Sequence, residues 1–332
     1  MDSDSVSRPT TIDDLDRGYD RRELKQDAMT TTTVVEATRR APGPIGVLLP
    51  VSVNSTAPVD VQREAVHRLE NAGYRAAWTN EVVGGKDALV QLAVLLAATQ
   101  RMVFGTSIAN IWARPPQTAH AAAALLSQAF PGRFVLGLGV GYPQQAASVG
   151  RDFGRPVATM RDYLDQMASL TMPPAPDAAY PKIVGATGPK MLAMSGETTD
   201  GAIPIMVPPE YTAHARQVLG PDKLLVVGLA VVTDADPAQA RTTARQRAAG
   251  PLSQPGTYPA AMTRLGYSEQ DISDVSDRLV DAIIGHGDAA SIEAKVREHL
   301  AAGADHVIVM TSGTNFGDGV DQLAELAATL VV

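Results

Sequence analysis

Apolar positions along the chain fall into two alternating kinds of segment. IGVLLP (Ile45–Pro50), YRAAWT (Tyr74–Thr79) and MVFGTSI (Met102–Ile108) are short, nearly unbroken apolar runs, the pattern of buried strands. Between them lie longer segments of helical period. From Gln62 to Ala72, the residues Ala65, Val66, Leu69 and Ala72 share one face, and Gly73 suits the position just past a helix end. Residues 87–99 predict another helix. Gln117–Ala129 predicts a third, being rich in Ala and Leu and free of Gly and Pro. The turn Phe130-Pro131-Gly132 stops it, and Arg133–Leu138 starts the fourth strand. Lys182–Gly185, Ala202–Met206 and Leu224–Val232 read as strands five to seven. Ala290–Ala302 reads as a helix closed by Gly303, and HVIVM from His306 as strand eight. LENAGYRAAW and LAAGADHVIV share one helix-Gly-strand pattern. This βαβα alternation predicts a single (β/α)8 TIM barrel over a doubly wound sheet.

Two stretches depart from the alternation. Residues 1–42 are polar, charged and Thr-rich, which predicts a disordered or loosely attached extension and leaves 43–332 as the barrel. Residues from about 250 to 277 read as an irregular insertion before strand eight, with Gly and Pro early and Ser and Asp later.

Composition narrows the function classes. The chain of 332 residues has a formal charge of −8, which argues against a nucleic-acid partner but not against an anionic cofactor held by backbone amides. It has no cysteine, so disulfides, thiolate metal sites and a cysteine nucleophile are excluded. The 6 histidines make no H-x-H or H-E-x-x-H pair, so no metal site is expected. A G-x-S-x-G elbow is absent, which disfavours an α/β-hydrolase. No segment reaches the roughly 18 apolar residues of a membrane helix. The amino end lacks the apolar core of a secretory signal, so a cytoplasmic enzyme is expected.

Candidate chemistry gathers at strand ends. GTSIAN follows strand three and GLGVGY follows strand four, both at the carboxyl edge of a parallel sheet, where ligands of α/β proteins bind. Glycines 137, 139 and 141 let backbone approach a flat ligand, or relieve crowding against a neighbouring loop. The turn Gly185-Ala186-Thr187-Gly188-Pro189 enters a helix at Lys190, offering free amides and a positive dipole end. Taken alone it is equally a plain strand-to-helix turn. Asn80 and Glu81 lie just past strand two. A carboxylate there serves as a base near neutrality only if burial raises its pKa; otherwise it is a solvated loop residue.

GTSIAN, its following Pro-containing turn and helix, and PGRFVLGLGVGY resemble the bacterial luciferase-like oxidoreductases, the likeness running more weakly from about Ile45 to about Leu330. The resemblance implies a TIM barrel binding the deazaflavin coenzyme F420 or, alternatively, FMN. In the deazaflavin branch the peptide corresponding to Ser107-Ile108 is a non-prolyl cis bond whose bulge supports the ring. By the same resemblance Gly139, Val140 and Gly141 run beside the ring, and Tyr142 projects toward ring or substrate. Gly185, Ala186, Thr187, Gly188 and Pro189 meet the ribityl chain and phosphate, and Asn80 and Glu81 lie near the ring's polar edge. Ile108, Trp112, Val140 and Met206 are expected to form an apolar cup.

This chain departs from a sugar-phosphate-oxidising relative at both catalytic positions. It has Glu81 in place of a histidine base and Tyr142 in place of a glutamate, and it lacks a matching set of phosphate-binding Lys and Arg. Glucose-6-phosphate dehydrogenation is therefore disfavoured, and Glu81 and Tyr142 become the expected catalytic residues. The expected function is F420-dependent hydride transfer to or from a small organic substrate; relatives commonly form dimers or larger assemblies, which makes a homodimer one expected state. The alternatives are an FMN-dependent monooxygenase on the same fold and a non-catalytic deazaflavin carrier. An aldolase-like barrel needs a lysine at a strand end, whereas Lys182 begins a strand.

Overall fold

A computed structural model of the chain describes residues 31–50, 56–253, 256–311, 313 and 315–331. Its strands are β1 (Ile45–Leu48), β2 (Ala76–Thr79), β3 (Val103–Thr106), β4 (Ala109–Asn110), β5 (Phe134–Gly139), β6 (Lys182–Val184), β7 (Gly201–Ala202), β8 (Leu224–Thr233), β9 (Ile284–Gly287) and β10 (His306–Met310). Eight of them close a barrel in the order β1-β2-β3-β5-β6-β7-β8-β10, and β10 returns to β1 with Ile45 opposite Val307. Every pairing is parallel. These are the eight strands the apolar runs predict, with helices packed outside them. Among the described residues no helix is long and apolar enough to cross a membrane.

β8 shows why the strands read as solid apolar runs. Leu224, Val226, Ala230 and Val232 belong to one core cluster, while Leu225, Val227, Leu229 and Val231 belong to another. Alternate side chains point to opposite faces of a strand, so one set fills the barrel and the other packs under the helices. Neither face meets water, so no polar alternation survives.

Three features differ from the sequence pattern. First, β9 pairs with Ala230–Thr233 of β8 and is a ninth parallel strand beside the barrel. Its sequence, IGHG, holds two glycines and lacks the apolar run that marks a strand. Second, the insertion is helical, through Thr257–Arg264 and Glu269–Ser273, and Asp277–Ile283 follows. The Ser and Asp residues that read as irregular are helix caps: the Ser268 side chain accepts from the Asp271 amide, and Ser276 from Leu279. Third, β7 ends at Ala202, short of the expected Met206, where φ is +53°.

Of the expected extension, residues 1–30 lie outside the described residues. Thr31–Arg40 is a helix with Val35 buried. Its Arg39 donates to the Lys223 carbonyl at 2.9 Å and pairs with Asp305 at 3.2 Å, docking this helix on the loops that lead into β8 and β10.

Candidate active site

The carboxyl ends of β2, β3, β5, β6 and β7 open into one cavity of about 490 Å³. Asn80, Glu81, Ser107, Ile108, Gly139, Val140, Gly141, Tyr142, Gly185, Ala186 and Thr187 all line it, joined by Ile203 and Ile205. The insertion roofs it with Pro251, Gly256, Thr257 and Tyr258. A second hollow of about 390 Å³ involves His120, Lys182, Asp200 and Lys223. Lys182 begins β6 and Lys223 precedes β8, so that hollow lies at the opposite end and contains none of the expected site residues.

The Ser107-Ile108 peptide is cis. β2 holds the bulge from both sides: the Ser107 amide donates to the Thr79 carbonyl at 2.7 Å, and the Ile108 carbonyl accepts from the Glu81 amide at 3.1 Å. The glycines complete the seat, though differently from a simple ligand ledge. A Cβ on Gly139 would lie 1.5 Å from Ile108 Cδ1, and one on Gly137 would lie 2.0 Å from the Thr106 carbonyl. At Gly141 φ is +58°, a region that disfavours any side chain. At 137 and 139 the close approach is thus made by protein, and β5 receives the bulge so that the bulge can face the cavity.

Glu81 is not the free proton acceptor expected of it. Its side chain is 1% exposed, and both carboxylate oxygens are occupied. Oε1 accepts from the Ala88 amide at 2.9 Å, Oε2 accepts from the Asn110 amide at 2.8 Å, and Arg114 forks onto both oxygens. Arg114 also pairs with Asp87 at 2.9 Å. Burial works against the Arg114 charge, but the Glu81 hydrogen bond and charge outweigh it and raise its pKa. With four donors on its two oxygens, the carboxylate has no lone pair to spare for a substrate proton. Its place is structural: its amide fixes the bulge carbonyl while its carboxylate fixes Asn110, two residues beyond.

Nearby, burial lowers the Lys86 ammonium to about 8, partly opposed by the Glu81 charge, and its Nζ donates to Thr79 Oγ1 at 2.8 Å.

Tyr142 is 61% exposed at the rim, and its amide donates to Gln145 Oε1 at 2.8 Å. Opposite stands Tyr258 of the insertion, whose phenol burial pushes up to about 12, with the neighbouring Tyr142 adding to the rise. Tyr258 therefore keeps its proton at neutral pH. The sequence gives no motif for Tyr258, Ile203 or Ile205, whereas Asn110 stands inside the GTSIAN string already singled out. Of the expected apolar cup, Ile108 and Val140 line the cavity. Trp112 works from behind, its Nε1 donating to the Val140 carbonyl at 2.7 Å, and Met206 joins the barrel core.

The turn after β6 divides. Gly185, Ala186 and Thr187 line the cavity, Gly188 precedes the helix Pro189–Thr198 without a side-chain cap, and Pro189 borders an adjoining groove. The Tyr211 hydroxyl bonds the carbonyls of Ala186 at 3.1 Å and Thr187 at 2.9 Å, pinning the turn.

Two buried polar atoms in this cavity, Ser107 Oγ and Asn80 Oδ1, have no hydrogen-bond partner among the described residues. Buried polar groups are ordinarily satisfied, so two such atoms on neighbouring strand ends suit a polar-edged ligand between them. Together with the uncapped helix start, which favours an anionic group, these residues fit a planar cofactor carrying a phosphate.

Fold and site together define a TIM barrel with a cavity at the strand carboxyl ends. Residues 43–306 match the luciferase-like monooxygenase family, and the chain belongs to that family. It is 29% identical over 194 residues, 49% of its own length, to a Mycobacterium tuberculosis protein whose name carries a provisional assignment as a coenzyme F420-dependent oxidoreductase. That match spans 56% of the relative's length. Among solved structures it resembles the coenzyme F420-dependent tetrahydromethanopterin reductase of Methanopyrus kandleri. The TM-score is 0.67 with 17% identity, covering 88% of this chain and 99% of that one. It also resembles the oxygenating constituent of 3,6-diketocamphane monooxygenase from Pseudomonas putida in complex with FMN. There the TM-score is 0.63 with 14% identity, covering 87% and 98% of the two chains.

Proposed function

We propose that this chain is an F420-dependent oxidoreductase that transfers a hydride between the deazaflavin and a small organic substrate. The observation that carries the reading is the pair of unsatisfied buried atoms, Ser107 Oγ and Asn80 Oδ1, beside the cis bulge in a cavity large enough for a tricyclic ring. The likenesses to a provisionally assigned F420-dependent oxidoreductase and to an F420-dependent reductase support the same choice.

When bound, the deazaflavin supplies hydride chemistry at one ring carbon, so the protein's task is to position, exclude water and manage a proton. Ser107 and Asn80 would meet the polar edge of the ring. Ile108, Val140, Ile203 and Ile205 would cover its faces and keep water out. The uncapped start of Pro189–Thr198 would take the phosphate. Proton exchange with substrate falls to the hydroxyls of Tyr142 and Tyr258, since Glu81 is fully engaged.

A binding titration with F420 and with FMN tests the reading. Tight F420 binding with weak FMN binding supports it, and the reverse preference turns the assignment to an FMN-dependent monooxygenase. A substrate screen with the bound cofactor then separates enzyme from carrier.

A further inference from the structure

The hollow of about 390 Å³ at the amino end of the barrel takes no part in the reaction above. Lys182 lines it at the first residue of β6, and β6 runs from there to the Gly185 turn, so the strand separates this hollow from the active-site cavity. Lys223, just before β8, lines it too, as does His120 of the helix Pro116–Ala129. Tyr180 holds the His120 ring, with its hydroxyl 2.7 Å from Nδ1. A volume of this size suits a small metabolite and far exceeds what one water fills.

Charge decides which kind. The Lys223 ammonium donates to the Thr199 carbonyl at 2.6 Å and has no ion pair among the described residues. The Lys182 ammonium has neither a hydrogen bond nor an ion pair among them. The neighbouring carboxylates are engaged elsewhere. Glu197 pairs with Arg161 at 3.0 Å, and Asp200 Oδ2 accepts from the Lys182 amide at 2.7 Å. Asp200 feels both lysine charges but forms an ion pair with neither. The hydroxyls of Thr198 and Thr199 are bonded to carbonyls of the helix they end, at Met194 and Ser195. Burial and the Lys182 charge lower the His120 pKa, so at neutral pH that ring offers a hydrogen bond and no charge. Two ammonium groups are thus left to recognise a ligand. We propose that this hollow binds a small multivalent oxyanion, a phosphate ester or a polycarboxylate, through Lys182 and Lys223, at a site separate from catalysis. The proposal does not depend on which cofactor the other end takes.

Calorimetric titration of the full chain with pyrophosphate and with citrate, at constant ionic strength in chloride, tests it. Saturable binding of at least one anion is expected, and the tighter of the two tells a phosphate headgroup from a carboxylate one. Lys182→Met should weaken that binding about five-fold, and Lys182→Met with Lys223→Met about twenty-five-fold, whereas Lys182→Arg should keep most of it. Lys182 gives up no side-chain partner among the described residues, so the single variant should unfold at the same urea concentration as wild type. Absence of saturable binding by both anions overturns the proposal. So does binding that the folded Lys182→Met protein retains in full, which would place the anion elsewhere on the chain. Either result leaves the F420 reading standing.

Discussion

The two ends of the barrel solve the same problem in opposite ways. At the amino end, the interior is plugged by Trp78 and His306, whose ring nitrogens all have partners. Trp78 Nε1 donates to His306 Nε2 at 3.0 Å, and His306 Nδ1 bonds the Gly43 carbonyl at 2.7 Å. At the carboxyl end, Ser107 Oγ and Asn80 Oδ1 are buried around an open cavity with no hydrogen-bond partner among the described residues. The Trp78–His306 plug is satisfied and the mouth is kept in want, although the same strands build both. Stability is thus concentrated where polar groups are closed, and ligand recognition where they are not.

The largest effect should come from opening a closed site beside the mouth. Arg114→Ala would leave the Glu81 carboxylate, whose side chain is 1% exposed, without its counter-ion. A loss of about 3–5 kcal/mol in urea unfolding is expected. Glu81→Gln separates roles further: a proton acceptor would lose turnover with the fold intact, whereas the clamp described here loses stability and cofactor affinity together.

Acid should attack the closed regions next. Burial depresses His306 to about 4, against weaker opposing effects of Gly43 and Asp305, and burial with the Lys295 charge depresses His299 to about 4. Both folded-state values lie below the ordinary histidine value of about 6.5, so the unfolded chain binds more protons between those limits. Stability should be full above pH 6.5 or so and fall as pH drops toward 4, by up to about 3 kcal/mol for each histidine. Thermal unfolding across that range would read it, and a flat profile would contradict the buried, neutral histidines.

Smaller changes probe the mouth itself. Gly139→Ala forces a methyl onto Ile108, which should cost about 1–3 kcal/mol and displace the bulge, weakening cofactor binding more than the fold. Ser107→Ala removes an atom that has no hydrogen-bond partner among the described residues, so unfolding should hold steady while cofactor affinity drops about five-fold. Tyr142→Ala, at 61% exposure, should shift stability by less than about 0.5 kcal/mol, with its effect confined to turnover.

Much of the barrel was legible because its strands are buried on both faces and read as unbroken apolar runs; β8 is the clearest case. β9 escaped because two glycines and a histidine fill a four-residue strand. The backbone of the site was legible too, since GTSIAN, GLGVGY and the Gly185 turn mark strand ends. Side-chain roles were not. Nothing near Glu81 in sequence announces Arg114, 33 residues away, as the group that would occupy its carboxylate. Tyr258 stayed hidden because its role depends on where the insertion folds back.

Glu81 ties two segments at once, by its amide to Ile108 and by its carboxylate to Asn110 and Arg114. Divergence at this position is therefore coupled. A descendant that exchanged it for a histidine base would first strand a guanidinium and loosen the shelf under its own cofactor, so new chemistry here must arrive through paired replacements at 81 and 114, or come from the rim.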